Sequence, residues 1–329
     1  MTDKINLAIV GATSLKGEAF LLKLSEMPFD LGEVFLSADE ATAGEEVEFG
    51  KKELLVTLAT EFDFTKVQYV IFLDDPSLTE QLYPSVEASG CIVIDGSGYL
   101  GQRDDISLAT LDEYQEPSRV MAIPETTTLQ LWLTLRSLLQ DTAIDNLNLT
   151  VMQCTAHAGK AGMEDLGRQT AQLLNFQDAQ TGIFNQQLAF NLIPQVGELQ
   201  EDGNTQYESV IEQQLSRLLV MPPSSIDVTM IWVPVFFADT VSVSLNTQDS
   251  LDMETITDQW NSNTFLTFNK AQAPTPVTDV SGKSTVHLGR VRSSTSAVDT
   301  TRLAYTSMAD PVQLTTEVCM QVLNAQLML

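Results

Sequence analysis

The chain has 329 residues, enough for two domains that each bury a core. Its 44 acidic against 17 basic side chains give a formal charge of −27, which repels phosphate backbones and argues against nucleic acid as a partner. No apolar run reaches the about 18 residues of a membrane span, and the opening MTDKINLAIVGAT lacks a signal-type pattern, so a cytoplasmic protein with no membrane partner is expected. Up to residue 125, the runs INLAIV, EVFLSA, VQYVIFL and CIVID read as strands, and FGKKELLVTL reads as one extra strand. Helical spacing from Ser14 to Met27 and from Ser77 to Ser89 separates them, which is the pattern of a parallel, doubly wound sheet. After Pro124, TTTLQLWLTLRSLLQ reads as one long helix. Beyond it NLNLTVMQC, DVTMIWVPVFF and VSVSL alternate as longer strands, with helices from Gly162 to Asn175 and from Tyr207 to Val220, so a mixed sheet with helices on one side is expected. A last apolar helix runs from Val312 to Met328.

Cys91, Cys154 and Cys319 are widely spaced in apolar settings and read as buried packing residues, with neither a disulfide framework nor a metal site supported. GATSLKG, Gly11 to Gly17, follows a strand and opens a helix, the context in which backbone N–H groups receive a pyrophosphate. Three further stretches carry chemistry-bearing residue types: IPETTTLQ (Ile123 to Gln130), CTAHAGKAGMEDL (Cys154 to Leu166) and WVPVFFAD (Trp232 to Asp239).

Together these segments resemble the aspartate-semialdehyde dehydrogenase family. The resemblance implies an α/β fold, with a Rossmann-like doubly wound sheet in residues 1–125 and 305–329. It further implies an α+β dimerisation domain of the semialdehyde dehydrogenase and glyceraldehyde-3-phosphate dehydrogenase type in 126–304, and a homodimer. In the family a cysteine forms a hemiacetal with the aldehyde, releases hydride to NADP and leaves as an acyl-enzyme; a thiolate suits all three steps. Thr126 stands at that cysteine's position, and its hydroxyl stays protonated unless a base takes the proton.

The family's base is a histidine seven residues after a substrate-binding arginine, in a strand like R-V-P-V-x-x-G-H; here Trp232 stands for the arginine and Asp239 for the histidine. His157 and His287 fall at neither place and read as ordinary polar or packing residues. Gly101 replaces a phosphate-binding arginine, leaving Arg103 two residues beyond as a weak substitute. A helical lysine and glutamate align with Val210 and Gln214. Gln153 matches the family's orienting glutamine.

For the cofactor, Gly11, Thr13 and Gly17 fit the turn, but Ser14 replaces its middle glycine. Asp39, Glu40 and Ala41 occupy the stretch that holds the 2′-phosphate of NADP, so NADP is disfavoured, while Asp39 suits the 2′-hydroxyl of NAD. Asp74, Asp75 and Pro76 replace a small-residue loop beside the nicotinamide. The expectation is a degenerate member of the family, a pseudoenzyme with a binding or scaffold role. Two alternatives stay open: an active NAD(P)-dependent semialdehyde oxidoreductase of the amino-acid biosynthesis type with altered substrate or cofactor, and an NAD-sensing protein without chemistry.

Overall fold

In a computed structural model, residues 4–28, 31–73, 75–110, 118–140, 142–295 and 301–328 are described. Asp74 lies outside them. The chain divides into two compact units, Met1–Pro124 with Thr315–Leu329, and Glu125–Leu314.

The first unit is built on a seven-stranded sheet. In chain order it contains β1 (Leu7–Val10), α1 (Leu15–Glu26), β2 (Val34–Ala38), β3 (Glu46–Phe49), β4 (Lys52–Leu58), β5 (Tyr69–Phe72), α2 (Pro76–Ser89), β6 (Ile92–Asp95) and β7 (Val120–Ala122). The strand order is β3-β4-β2-β1-β5-β6-β7, parallel throughout except for β3. Every residue of β1 and β5 is buried, as unbroken apolar strands in the middle of a parallel sheet must be. The order reverses between β1 and β5, so the turn after β1 lies at the switch point where doubly wound sheets take ligands. FGKKELLVTL, expected as one strand, is instead a hairpin edge: Gly50 adopts φ 64° between β3 and β4, a left-handed turn that glycine takes without strain.

The second unit contains α3 (Thr126–Leu135), β8 (Ile144–Gln153), α4 (Gly159–Leu174), α5 (Gln206–Leu219), β9 (Ile226–Trp232), β10 (Asp239–Thr247), α6 (Met253–Ser262), β11 (Leu266–Phe268), β12 (Val286–Thr295) and β13 (Thr301–Ala309). Its six-stranded mixed sheet has the order β11-β12-β13-β10-β8-β9. All ten residues of α3 are buried, and the helix ends earlier than its apolar pattern suggests. The Trp260 indole donates to the Thr134 carbonyl at 3.0 Å, taking the acceptor that the N–H of residue 138 would use in a continued helix.

A final helix, α7 (Pro311–Leu327), starts in the second unit and continues in the first from Thr315. The return therefore begins later than residue 305, because Tyr305 is still a strand residue of β13. Within the first unit α7 is tied down by Lys23–Glu317 at 2.7 Å, and a side chain at Gly96 would meet Cys319 Sγ at 2.8 Å. The architecture is thus α/β, a doubly wound parallel sheet plus a mixed sheet with helices. Among the described residues no helix is long and apolar enough to cross a membrane.

Candidate active site

The residues singled out from sequence fall into two groups, one in each unit. In the first unit Gly11 turns with φ 84°, and a side chain on Gly17 would meet the Ala12 carbonyl carbon at 2.7 Å, so both glycines are required by the close approach of α1 to the turn. Ser14 caps α1: its Oγ accepts from Gly17 N–H at 2.9 Å and donates to the Leu73 carbonyl at 2.9 Å. A helix N-terminus binds an anion through its unpaired N–H groups. Here the chain's own hydroxyl holds one of them, so the turn is complete as a folding element.

Around it, Thr13 Oγ1 lies 2.8 Å from Thr42 Oγ1. Asp39 follows the last residue of β2, and its Oδ1 accepts from Ala41 N–H at 3.1 Å. Arg103 is engaged bidentately by Asp105, at 3.0 and 2.7 Å, and lies over the Tyr83 ring.

In the second unit the register of β13 fixes α3 against the sheet. Thr134 Oγ1 meets Tyr305 OH at 2.8 Å, and one turn earlier Gln130 Nε2 donates to Ser307 Oγ at 2.8 Å. A helical turn rises about 5.4 Å and two strand residues about 6.8 Å, so the next turn back puts Thr126 at the level of the Ala309–Asp239 pair. Ser307 pairs with Val241, so Asp239, two residues before Val241, faces α3 as well. Gln153 follows Met152, the partner of Thr240, and pairs with Trp232. The sheet therefore gathers Thr126, Gln153, Trp232 and Asp239 at one end.

Thr126 occupies the first turn of α3, with Glu125 as the N-cap residue, and is buried. Gln214, on α5, accepts from the Glu125 backbone N–H at 2.9 Å, which brings its side chain to this segment. Trp232 has become packing: its ring meets Phe184 edge-on at 5.1 Å beside Leu166, Leu188, Ala189 and Ile193.

Asp239 is 0% exposed, and both its oxygens are held: Oδ1 accepts from Cys154 N–H at 2.8 Å, and Oδ2 lies 2.6 Å from His157 Nε2. Position 239 therefore has an imidazole beside it, and His157 is a polar residue engaged by a buried carboxylate. A carboxylate with no exposure needs charge-assisted partners, and the turn Thr155–Ala158 supplies the imidazole. That turn is itself pinned, Thr155 N–H to the Val235 carbonyl and Ala156 N–H to the Phe236 carbonyl. Burial first, and the Asp239 charge second, push the Cys154 thiol well above its ordinary range, which disfavours the thiolate. His287 is a buried strand residue of β12 whose pKa is lowered by burial.

Ala238, immediately before Asp239, adopts φ 69° while packed against Val280 and Met308. A left-handed conformation costs a non-glycine residue about 1–2 kcal/mol, whereas the buried methyl contributes about 0.8 kcal/mol. Relief of strain wins: Ala238→Gly is expected to stabilise the protein by about 0.5 kcal/mol, read as a higher midpoint in urea unfolding.

Comparison with known proteins matches residues 6–126 to the family model described as semialdehyde dehydrogenase, NAD binding domain, and residues 135–312 to semialdehyde dehydrogenase, dimerisation domain. Aspartate-semialdehyde dehydrogenase 2 of Vibrio cholerae is 32% identical over 303 residues, covering 90% of each chain. A USG-1 protein homolog of Azotobacter vinelandii is 30% identical, covering 89% of each. Among solved structures, aspartate semialdehyde dehydrogenase II of Vibrio cholerae complexed with ASA superposes with a TM-score of 0.90 at 30% identity and 99% coverage of both chains. A probable aspartate-semialdehyde dehydrogenase of Pseudomonas aeruginosa gives 0.90 at 27% identity, again with 99% coverage of both chains.

Proposed function

The chain belongs to the aspartate-semialdehyde dehydrogenase family, and from that premise we propose that it keeps the family's frame without its hydride-transfer chemistry. One observation carries this reading: the thiol and imidazole positions hold Thr126 and Asp239, and the Asp239 carboxylate is already committed to Cys154 N–H and His157. The surroundings support it. Trp232 is packed among apolar side chains where a substrate carboxylate would need a cation, and Ser14 holds the Gly17 N–H that a pyrophosphate would use.

Restoring the thiol alone is then insufficient. Thr126→Cys is expected to give no reduction of NAD or NADP above background with aspartate semialdehyde and phosphate, because the base, the carboxylate grip and the nucleotide turn are altered together. Turnover that appears with this single change would contradict the reading.

A non-catalytic NAD-binding role is a second reading, favoured by Asp39 at the end of β2. NAD-induced thermal stabilisation tests it directly. The protein acts as a homodimer in either case. The region matched as a dimerisation domain exposes Leu174, Phe176, Ile183, Phe190, Leu192 and Leu199, large apolar side chains that a second copy would cover. Light scattering coupled to size-exclusion chromatography that returns a monomer's mass would refute the dimer.

A further inference from the structure

A dinucleotide on a doubly wound sheet lies across the turn after the first strand, with its pyrophosphate at the helix N-terminus and its length along the carboxyl ends of the neighbouring strands. The residues present do not fit it. Three side chains of the turn reach three neighbouring segments. Thr13 Oγ1 lies 2.8 Å from Thr42 Oγ1 in the loop after β2, Ser14 Oγ donates to the Leu73 carbonyl after β5 at 2.9 Å, and Lys16 Nζ donates to the Gly96 carbonyl after β6 at 2.9 Å. These ties run along the carboxyl edge of the adjacent strands β2, β1, β5 and β6, and the second of them spans the switch point itself.

We propose that Ser14 and Lys16 close the dinucleotide crevice from within, so that this chain takes neither NAD nor NADP. The closure rests on the proposed loss of hydride transfer and goes further, because it also removes the non-catalytic NAD-binding role.

The chemistry of the two carbonyls carries it. Leu73 and Gly96 are buried, and their carbonyls receive a hydroxyl and an ammonium donor. A pyrophosphate brings only acceptors, so it cannot replace either donor that it displaces, and a buried carbonyl stripped of its donor is destabilising. Nor can Gly96 move aside. A side chain there would meet Cys319 Sγ at 2.8 Å, Leu73 Cδ2 at 3.1 Å and Thr315 Cγ2 at 3.3 Å, so its backbone is packed tightly against residues after β5 and in α7. The Lys16 charge is also engaged: it acts on the fully buried Asp95, whose carboxyl is pushed up by burial and drawn down by Ser97, Leu100 and Lys16.

The test is calorimetric titration and thermal unfolding of the full-length protein with NAD and with NADP, which read binding rather than turnover. The wild type is expected to give no saturable heat and no nucleotide-dependent change of melting temperature. Ser14→Gly combined with Lys16→Met removes both donors and keeps the stem of residue 16. Without nucleotide this variant should melt below the wild type, and NAD should raise its melting temperature saturably. NADP should leave it unchanged, since Asp39 and Glu40 oppose a 2′-phosphate. If the double variant does not fold, Ser14→Gly alone carries the same expectation at the crevice between β1 and β5. Saturable binding of either nucleotide to the wild type overturns the proposal, as does a folded variant that gains no response to NAD. Binding to the wild type without turnover would remove the closure and leave the loss of hydride transfer standing, whereas turnover would remove both.

Discussion

Asp239→Ala is expected to destabilise the second unit by about 3–4 kcal/mol, the loss that follows when one partner of a buried, charge-assisted pair is deleted. Two groups lose their acceptor at once. Cys154 N–H, buried at the end of β8, has no route to water, and the His157 ring is left beside a cavity. The loss also loosens the turn Thr155–Ala158 that leads into α4, so faster amide exchange there should accompany the lower unfolding midpoint. Equal stability of the variant and the wild type would mean that the carboxylate is not the anchor described. Asp239→Asn, which keeps one acceptor oxygen, should fall between the two.

Returning an arginine to position 232 is expected to cost about 2–3 kcal/mol rather than to restore a grip on a carboxylate. Trp232 lies edge-on to Phe184, and such a ring pair contributes about 0.5–1.5 kcal/mol beyond the area it buries. Arginine would lose that contact and bring a guanidinium against the apolar side chains of Leu166, Leu188 and Ile193. Part of the cost is avoided because the aliphatic stem can lie along the cluster with its head in water, which is why the figure stays below that for a fully buried charge. Chemical denaturation of Trp232→Arg measures it. An unchanged midpoint would show that the position tolerates the family's arginine and that packing has not replaced binding there.

These two side chains also show how far the sequence could be read. The fold was legible because its strands are short apolar runs at the spacing of a doubly wound sheet, and because β9 keeps the register that sets Trp232 beside Gln153. FGKKELLVTL was harder: the turn at Gly50 divides it into β3 and β4, and only the left-handed backbone there reveals it. The helix after Thr126 was overextended because Trp260, the residue that ends it, comes from far along the chain.

In the candidate site, Thr126, Gln153, Trp232 and Asp239 could be placed together because each sits at a defined end of a helix or strand. His157 could not. It lies in a short turn with no periodicity, 82 residues from Asp239, and only the pairing of β8 with β10 closes that distance. A buried aspartate at the start of a strand was the one available signal, since a carboxylate there demands a donor from somewhere. Ser14 was legible as a departure from the glycine turn, but its bond to the Leu73 carbonyl, just after the neighbouring strand β5, could not be seen locally.

The most direct measurement is a steady-state assay of the wild-type protein with aspartate semialdehyde, phosphate and either NAD or NADP, followed by nucleotide absorbance. No reduction above the protein-free rate is expected with either nucleotide. Turnover that is present in the wild type and disappears in Thr126→Ala would contradict the proposed loss of hydride transfer.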